Sequence, residues 1–175
     1  MPTKPVNIIL IGYRATGKTT LGRRLADHLG FSFVDTDHAI EEHEGQCIAD
    51  MVQQHGWPYF RQREKEMLLE LAGRRNHVIA TGGGAVLHQD IWETIQQSGL
   101  VIWLKADIQT ICQRLAGDTL SDSQRPSLTG EDIQQEVAAV LQERIPLYER
   151  SGHLTLDATD AVEDIITQVT RYLHQ

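Results

Sequence analysis

A glycine-rich segment near the start of the chain carries the clearest chemical signal. Residues 12–19, Gly-Tyr-Arg-Ala-Thr-Gly-Lys-Thr, match the pattern G-x-x-x-x-G-K-[ST]. An apolar run at residues 6–11 precedes them, and a helical pattern at residues 20–29 follows. Between a buried strand and a helix, such a turn directs backbone N–H groups and the positive end of the helix dipole into one concavity. The segment therefore predicts binding of a nucleoside triphosphate.

The residue types in this loop suit the phosphates of ATP and a magnesium ion. Lys18 would reach the β- and γ-phosphates and is a candidate catalytic residue, while the Thr19 hydroxyl would bind Mg²⁺. We expect the nucleotide to contact a run of loop residues, namely Gly12, Arg14, Ala15, Thr16, Gly17, Lys18, Thr19 and Thr20.

Composition limits the classes of protein to which the chain can belong. Its 175 residues suffice for one domain with its own core, and its net charge of −8 disfavours nucleic-acid and membrane-surface partners. No apolar run approaches the roughly 18 residues of a membrane span. Cys47 and Cys112 lack the C-x-x-C spacing and are interpreted as reduced. We therefore expect a cytoplasmic monomer that binds neither nucleic acid nor membranes.

Short apolar runs alternate with helical patterns along the chain, which indicates βαβ units and a parallel sheet covered by helices on both faces. In such sheets ligands bind at the carboxyl ends of the strands, so functional residues are expected directly after each apolar run. The predicted strands cover residues 6–11, 31–34, 77–80 and 100–104, with 153–156 as a weaker candidate.

Residues 116–130 differ from this alternation, because they are polar, contain Gly and Pro, and show no periodicity. A segment of this kind inside a compact domain is typical of a mobile lid. Arg125 within it could close over a transferring phosphoryl group, although outside such chemistry it would be a solvated surface residue. Arg114, just before the lid, could stack on adenine or could equally be solvated.

Polar or glycine residues follow two further predicted strands. Asp35 and Asp37 come after the second strand, where one carboxylate can approach Mg²⁺ and the other can accept a hydrogen bond from a substrate hydroxyl. The alternative is that one aspartate only caps the helix that begins near His38. The run Gly82-Gly83-Gly84 follows the third strand and would let a ligand lie directly on the backbone, because no Cβ intervenes.

Two arginines are predicted on inward helix faces. Arg61 shares a helix side with Leu68, and Arg144 lies on the apolar stripe that contains Val137 and Val140. A buried arginine without an anion is costly, so each needs either an internal glutamate or a substrate anion. Two such guanidinium groups could together bind a planar carboxylate or a phosphate.

Together these motifs resemble the shikimate kinase family. They occur in the family's order and span nearly the whole chain, which makes the resemblance more specific than the phosphate loop alone. After that loop the matching elements are Asp35-Thr36-Asp37, Phe60-Arg61, Gly82-Gly83-Gly84, Arg125-Pro126 and Arg144-Ile145-Pro146-Leu147-Tyr148.

The resemblance implies a P-loop nucleoside-monophosphate-kinase-like fold over residues 1–175 as one domain. The expected core is a five-stranded parallel sheet of order 2-3-1-4-5, with helices on both faces and a mobile lid at about 116–130. It also implies ATP-dependent phosphorylation of the 3-hydroxyl of shikimate, with Mg²⁺, on the route to chorismate and the aromatic amino acids.

The family's pattern also implies roles for individual residues. Lys18, Asp37 and Arg125 would be catalytic, with Asp37 orienting the hydroxyl first and acting as a base second. Asp35 would hold Mg²⁺ through water together with Thr19, while Arg114 would contact adenine and Arg125 the nucleotide. Shikimate would be bound by Asp37, Phe60, Arg61, Gly82, Gly83, Gly84 and Arg144, the arginines taking its carboxylate.

The sequence leaves two rival functions open. A kinase of the same fold for another small hydroxy acid, such as gluconate, would share the phosphate loop but need not carry two inward arginines beside a glycine run. A nucleotide-dependent switch without chemistry would usually carry a base-recognition motif such as N-K-x-D, and the chain contains none.

Overall fold

A five-stranded parallel sheet organises the part of the chain that the structure describes. The structure is a computed structural model, and it describes residues 7–117 and 132–174. The sheet order is β2-β3-β1-β4-β5, and every neighbouring pair is parallel. This confirms the predicted strand order. The strands are β1 (Asn7–Ile11), β2 (Ser32–Asp35), β3 (His77–Ala80), β4 (Leu100–Lys105) and β5 (Leu154–Asp157).

Helices connect the strands, and a short 3₁₀ turn, Ala85–Leu87, follows β3. None of the helices within the described ranges is long and apolar enough to cross a membrane. In chain order the helices are α1 (Lys18–Leu29), α2 (Thr36–Glu44), α3 (Ile48–His55), α4 (Trp57–Ala72), α5 (Trp92–Ser98), α6 (Ile108–Gly117), α7 (Ile133–Ser151) and α8 (Val162–Leu173).

Alternating residues of β1, the central strand, pack into two separate hydrophobic cores, one on each face of the sheet. Ile9 and Ile11 pack into the cluster that contains the inward residues of α4, α5, α6 and α7. Ile8 and Leu10 pack into the other cluster, with the inward residues of α1 and α8. Because both faces are covered, β1 is buried along its whole length and reads as a continuous apolar run rather than an alternating one.

The predicted elements differ from the observed ones mainly at their ends. The first helix begins at Lys18 rather than at residue 20, directly after Gly17, which takes a left-handed conformation. The long helix predicted at residues 131–148 extends to Ser151 and continues past Pro146, which lies inside it. Residue 131 and most of the predicted lid lie outside the described residues.

Strand register brings three predicted site segments to one edge of the sheet. Ile9 of β1 pairs with Ile79 of β3 and with Val101 of β4. Just beyond β3, Thr81 donates from both its backbone N–H and its hydroxyl to the carbonyl of Leu10, at 3.1 and 2.9 Å. The segments that follow β1, β2 and β3 therefore meet at the carboxyl end of the sheet.

Close packing at the opposite edge generates a first prediction. Gly99, between α5 and β4, lies against the start of β1, and a Cβ there would overlap the backbone of Asn7. Overpacking of this kind costs typically about 1–3 kcal/mol. We expect Gly99→Ala to lower the free energy of unfolding by that amount in a urea titration.

The matched control is Gly117→Ala, because none of the described residues lies within 4 Å of a Cβ at that position. This control should leave the urea midpoint unchanged or slightly higher. A Gly99→Ala protein as stable as the control would contradict the close approach of β1.

Candidate active site

The phosphate loop curls around the start of α1 through three residues with positive φ. These are Gly12 at 146°, Ala15 at 62° and Gly17 at 91°. No side chain of the described residues caps α1, so the first N–H groups of the helix can donate to a bound anion. A Cβ on Gly12 would lie 2.6 Å from the carbonyl oxygen of Leu104, so only glycine fits at this turn.

Lys18 and Thr16 both bond to the loop in which they lie. The Lys18 ammonium donates to the carbonyl oxygens of Gly12 and Tyr13, at 2.9 and 2.7 Å. The Thr16 hydroxyl donates to the same Tyr13 carbonyl at 2.8 Å. The cation that would meet the phosphates is therefore held within the loop by its own backbone.

Thr19 and Asp35 form the part of the site that suits a metal ion. The Thr19 hydroxyl donates to Asp35 Oδ2 at 2.6 Å. The other oxygen, Oδ1, accepts from the backbone N–H groups of Asp37 and His38 and so caps α2. The helix-capping alternative thus holds for Asp35, and its second oxygen still faces Thr19.

This pair of oxygens fits Mg²⁺, which is bound by one or two protein oxygens, phosphates and waters rather than by an all-protein cage. Across residues 7–117 and 132–174, no group of three or more His, Cys, Asp or Glu side chains could form a different metal site.

A cavity of about 490 Å³ lies beside the phosphate loop. One wall is apolar and consists of Ile48, Trp57 and Phe60. Apart from Tyr13, the remaining lining is charged or is glycine backbone, so the cavity suits a small ring that carries polar and anionic substituents. The structure brings together here all the residues predicted to bind the acceptor: Asp37, Phe60, Arg61, Gly82, Gly83, Gly84 and Arg144.

The three consecutive glycines leave room for charged side chains. A Cβ on Gly82 would lie 2.7 Å from Asp37 Oδ1 and 2.8 Å from Glu64 Oε1. A Cβ on Gly84 would overlap the guanidinium of Arg61. None of the three has a positive φ. The need for glycine therefore comes from the close approach of side chains to the backbone, and not from an unusual backbone conformation.

Arg61 has an internal partner, which was one of the two alternatives open from the sequence. Its Nη1 lies 2.7 Å from Oε2 of Glu64, which is fully buried. The Nε2 of His88 lies 2.9 Å from the same oxygen. Burial alone would raise the Glu64 pKa, but hydrogen bonds and charge from His88 and Arg61 outweigh it and hold the pKa below its ordinary value.

Arg144 differs from Arg61 in its surroundings. It is only 7% exposed, and no carboxylate of the described residues lies within ion-pair distance of it, although nine such pairs occur elsewhere among them. One turn later on α7, the Tyr148 hydroxyl donates to the carbonyl of Gly83 at 2.6 Å. Burial raises the pKa of that phenol, and Arg144 opposes the shift only in part. Tyr148 thus anchors α7 to the glycine turn beside the arginine.

Arg14 connects the phosphate loop to α7. Its Nη2 lies 3.1 Å from Oε1 of Glu136, whose side chain is almost fully buried. Burial raises the pKa of the neighbouring Tyr13 hydroxyl, and Arg14 opposes that shift only in part. Sequence reasoning did not find Glu136, although it lies four residues before Val140 on the stripe that also carries Arg144.

A second cavity, on the other side of the phosphate loop, is lined by Thr20, Arg114 and Asp160 among others. Arg114 donates to the carbonyls of Ala15 at 3.2 Å and Ala158 at 2.8 Å. It therefore braces the loop against the segment after β5 and is not simply solvated. Arg125, the proposed mobile arginine, lies outside the described residues, and its role stays a prediction.

Comparison with known proteins agrees with this geometry. Residues 14–174 match the family model described as shikimate kinase. The chain belongs to the shikimate kinase family. Shikimate kinase 2 of Yersinia enterocolitica is 42% identical over 166 residues, which cover 95% of this chain and 94% of that protein. A shikimate kinase of Syntrophus aciditrophicus is 40% identical over 94% of this chain and 89% of its own length.

Solved structures show the same relationship. The shikimate kinase from Acinetobacter baumannii in complex with shikimate superposes with a TM-score of 0.88 at 36% identity, covering 96% of this chain and 92% of that one. A gluconokinase from Sinorhizobium meliloti superposes with a TM-score of 0.60 at 18% identity. The second likeness shows a shared fold alone, whereas the first lies within the shikimate kinase family.

The buried carboxylate of Glu64 generates a pH-dependent prediction. Because its folded-state pKa lies below the ordinary value of 4.5, its charge stabilises the fold above about pH 4.5. This contribution is lost as the pH falls through the lower folded-state pKa. Removing one partner of a buried pair costs about 3–5 kcal/mol. Urea titrations should therefore show Glu64→Gln less stable than the wild type at pH 7, with a gap that narrows below pH 4.5.

Glu66→Gln is the matched control, because Glu66 is on the same helix and pairs with Arg63 at an exposed position. An exposed pair contributes about 1 kcal/mol or less. A stability gap for Glu64→Gln that stays constant between pH 7 and pH 3 would contradict a charged Glu64.

Proposed function

We propose that the protein transfers the γ-phosphoryl group of ATP to the 3-hydroxyl of shikimate, giving shikimate 3-phosphate and ADP. The observation that carries this proposal is Arg144, a buried guanidinium beside the phosphate loop with no carboxylate partner among the described residues. Burying an unneutralised cation costs several kcal/mol. A substrate carboxylate in the cavity supplies the missing negative charge.

The shape and polarity of the cavity support shikimate as the acceptor. Shikimate is a six-membered ring with a carboxylate at one end and hydroxyl groups at the other. Its carboxylate would meet Arg144, with Arg61 as a second donor, while the ring lies along Ile48 and Phe60. Asp37 lines the side of the cavity where it can accept a hydrogen bond from a ring hydroxyl.

ATP would occupy the phosphate loop on the other side of this cavity. The backbone N–H groups at the start of α1, together with Lys18, would hold the β- and γ-phosphates. Thr19 and Asp35 would hold Mg²⁺, which when bound neutralises negative charge on the phosphate oxygens.

The reaction forms a bond between the acceptor hydroxyl oxygen and the γ-phosphorus and breaks the bond from that phosphorus to the β,γ-bridging oxygen. The hydroxyl proton leaves, and the bridging oxygen becomes part of ADP. Because the transition state of such transfers is loose, alignment of the two substrates contributes more than deprotonation. Asp37 is therefore an orienting residue first and a proton acceptor second. We propose that Arg125 neutralises charge on the transferring group.

A same-fold kinase for another hydroxy acid is the rival proposal. Gluconate also carries a carboxylate, but it is an open chain that would not use a flat apolar wall in the same way. The experiment is a coupled assay of ADP release from ATP with shikimate, with gluconate and without acceptor. We expect rapid ADP release only in the reaction that contains both ATP and shikimate. Faster release with gluconate would favour the rival, and equal release in all three reactions would indicate a nucleotide switch.

Arg144 generates a prediction about acceptor affinity. Without it the substrate carboxylate loses a desolvated partner, a loss of about 3 kcal/mol or more, which corresponds to roughly two orders of magnitude. We expect Arg144→Ala to raise the KM for shikimate by about 100-fold, with the KM for ATP nearly unchanged. Steady-state kinetics with each substrate varied in turn measures both.

The matched control is Arg150→Ala, because Arg150 is on the same helix but exposed. It should leave both KM values near those of the wild type. If Arg144→Ala instead unfolds the protein and the surviving folded fraction binds shikimate normally, Arg144 is a structural residue.

A further inference from the structure

His88 is a buried polar side chain to which the proposed mechanism assigns no role. It is 8% exposed and follows the 3₁₀ turn that continues from the three glycines. Its Nε2 lies 2.9 Å from Glu64 Oε2. The low pKa of Glu64 keeps that carboxylate ionised at neutral pH, where it can only accept hydrogen bonds. His88 therefore has a hydrogen on Nε2 and donates a hydrogen bond to Glu64.

The carboxylate that His88 contacts also holds Arg61. Both donors meet the same oxygen, since Arg61 Nη1 lies 2.7 Å from Oε2. The other oxygen, Oε1, is buried without a hydrogen-bond partner among the described residues. The orientation of the Glu64 carboxylate therefore depends on His88 and Arg61 together.

The two donors lie in different parts of the fold, so His88 supplies a constraint that Arg61 cannot supply. Arg61 and Glu64 are three residues apart on α4, so their ion pair alone could shift with that helix as a unit. His88 is in the segment after the glycine turn, and its bond ties the pair to that turn. The Arg61 guanidinium lies directly on Gly84 of the same turn, and its Cζ is 5.3 Å from the ring centre of Trp57.

We propose that His88 is a positioning residue of the acceptor site, which acts through Glu64 to hold the Arg61 guanidinium at the cavity wall. This inference rests on the proposed function, because it takes Arg61 as a donor to the substrate carboxylate. His88 does not line the cavity, so the proposal assigns control of the Arg61 position to a residue outside the cavity. Without this bond Arg61 and Glu64 remain paired, but the pair is no longer fixed relative to Gly84 and Arg144.

The test compares variants that differ in whether they can reach Glu64. His88→Gln keeps an N–H donor at the same number of bonds from Cβ as histidine Nε2, whereas His88→Asn is one bond too short. His88→Ala removes the donor altogether. Hydrogen bonds to charged groups are the stronger ones. We expect the Ala and Asn variants to raise the KM for shikimate about tenfold or more, and the Gln variant to restore most of the affinity. The KM for ATP should stay within about twofold in all three.

A stability control separates positioning from general loosening of the fold. Asn7 is buried at the opposite end of β1, where it bonds the Arg74 carbonyl and the His77 N–H. Asn7→Ala should lower the urea midpoint yet leave the KM for shikimate unchanged. If it raises that KM as much as His88→Ala does, His88 only stabilises the fold and the proposal is overturned.

The outcomes for the proposed function and for His88 are distinguishable. A wild-type protein that releases no ADP with shikimate would overturn both. A wild-type protein active on shikimate, with the same KM for shikimate in His88→Asn and His88→Gln as in the wild type, would overturn the role of His88 alone. The Asn and Gln pair decides the question even where His88→Ala fails to fold.

Discussion

The shape of the acceptor site depends on how closely charged side chains approach the backbone of residues 82–84. Asp37 and Glu64 lie against Gly82, and Arg61 lies against Gly84. Any Cβ at these two positions would push a charge away from its partner. The glycine run therefore acts as a flat surface on which the charged groups from α2 and α4 are assembled. Because the turn follows β3, an interior strand of the sheet, this surface is joined directly to the core.

The two arginines of the cavity are not electrostatically equivalent. Arg61 is already paired with Glu64, so its charge is compensated before any ligand arrives. Arg144 has no carboxylate partner within the described ranges, and Tyr148, one turn later on the same helix, is a neutral phenol. In the proposed complex, a substrate carboxylate would therefore gain more from Arg144 than from Arg61, whose charge Glu64 already compensates. Within the described ranges, this division of roles leaves Arg144 as a buried cation without a carboxylate partner.

The sequence predicted the sheet and the glycine-rich segments well, because their signals are local. Buried strands such as Asn7–Ile11 are continuous apolar runs, and the phosphate loop is a fixed pattern between a strand and a helix. The contact between Glu64 and His88 could not be found in this way, because the two residues are 24 positions apart in the sequence. A polar residue on a buried helix face shows only that a partner exists; the partner's identity depends on packing. Asp35 is intermediate, since its position predicted both capping and metal binding and its two oxygens are placed for both.

Helix α7 gives the two substrate sites a common support. It carries Arg144 on the cavity side, and about two turns earlier it carries Glu136, which pairs with Arg14 of the phosphate loop. Its Tyr148 bonds the carbonyl of Gly83 in the glycine turn. A movement of α7 would therefore displace the loop contact and the acceptor arginine together. Since phosphoryl transfer depends on aligning the acceptor oxygen with the γ-phosphate, a single rigid element in contact with both sites is an effective means of fixing their distance.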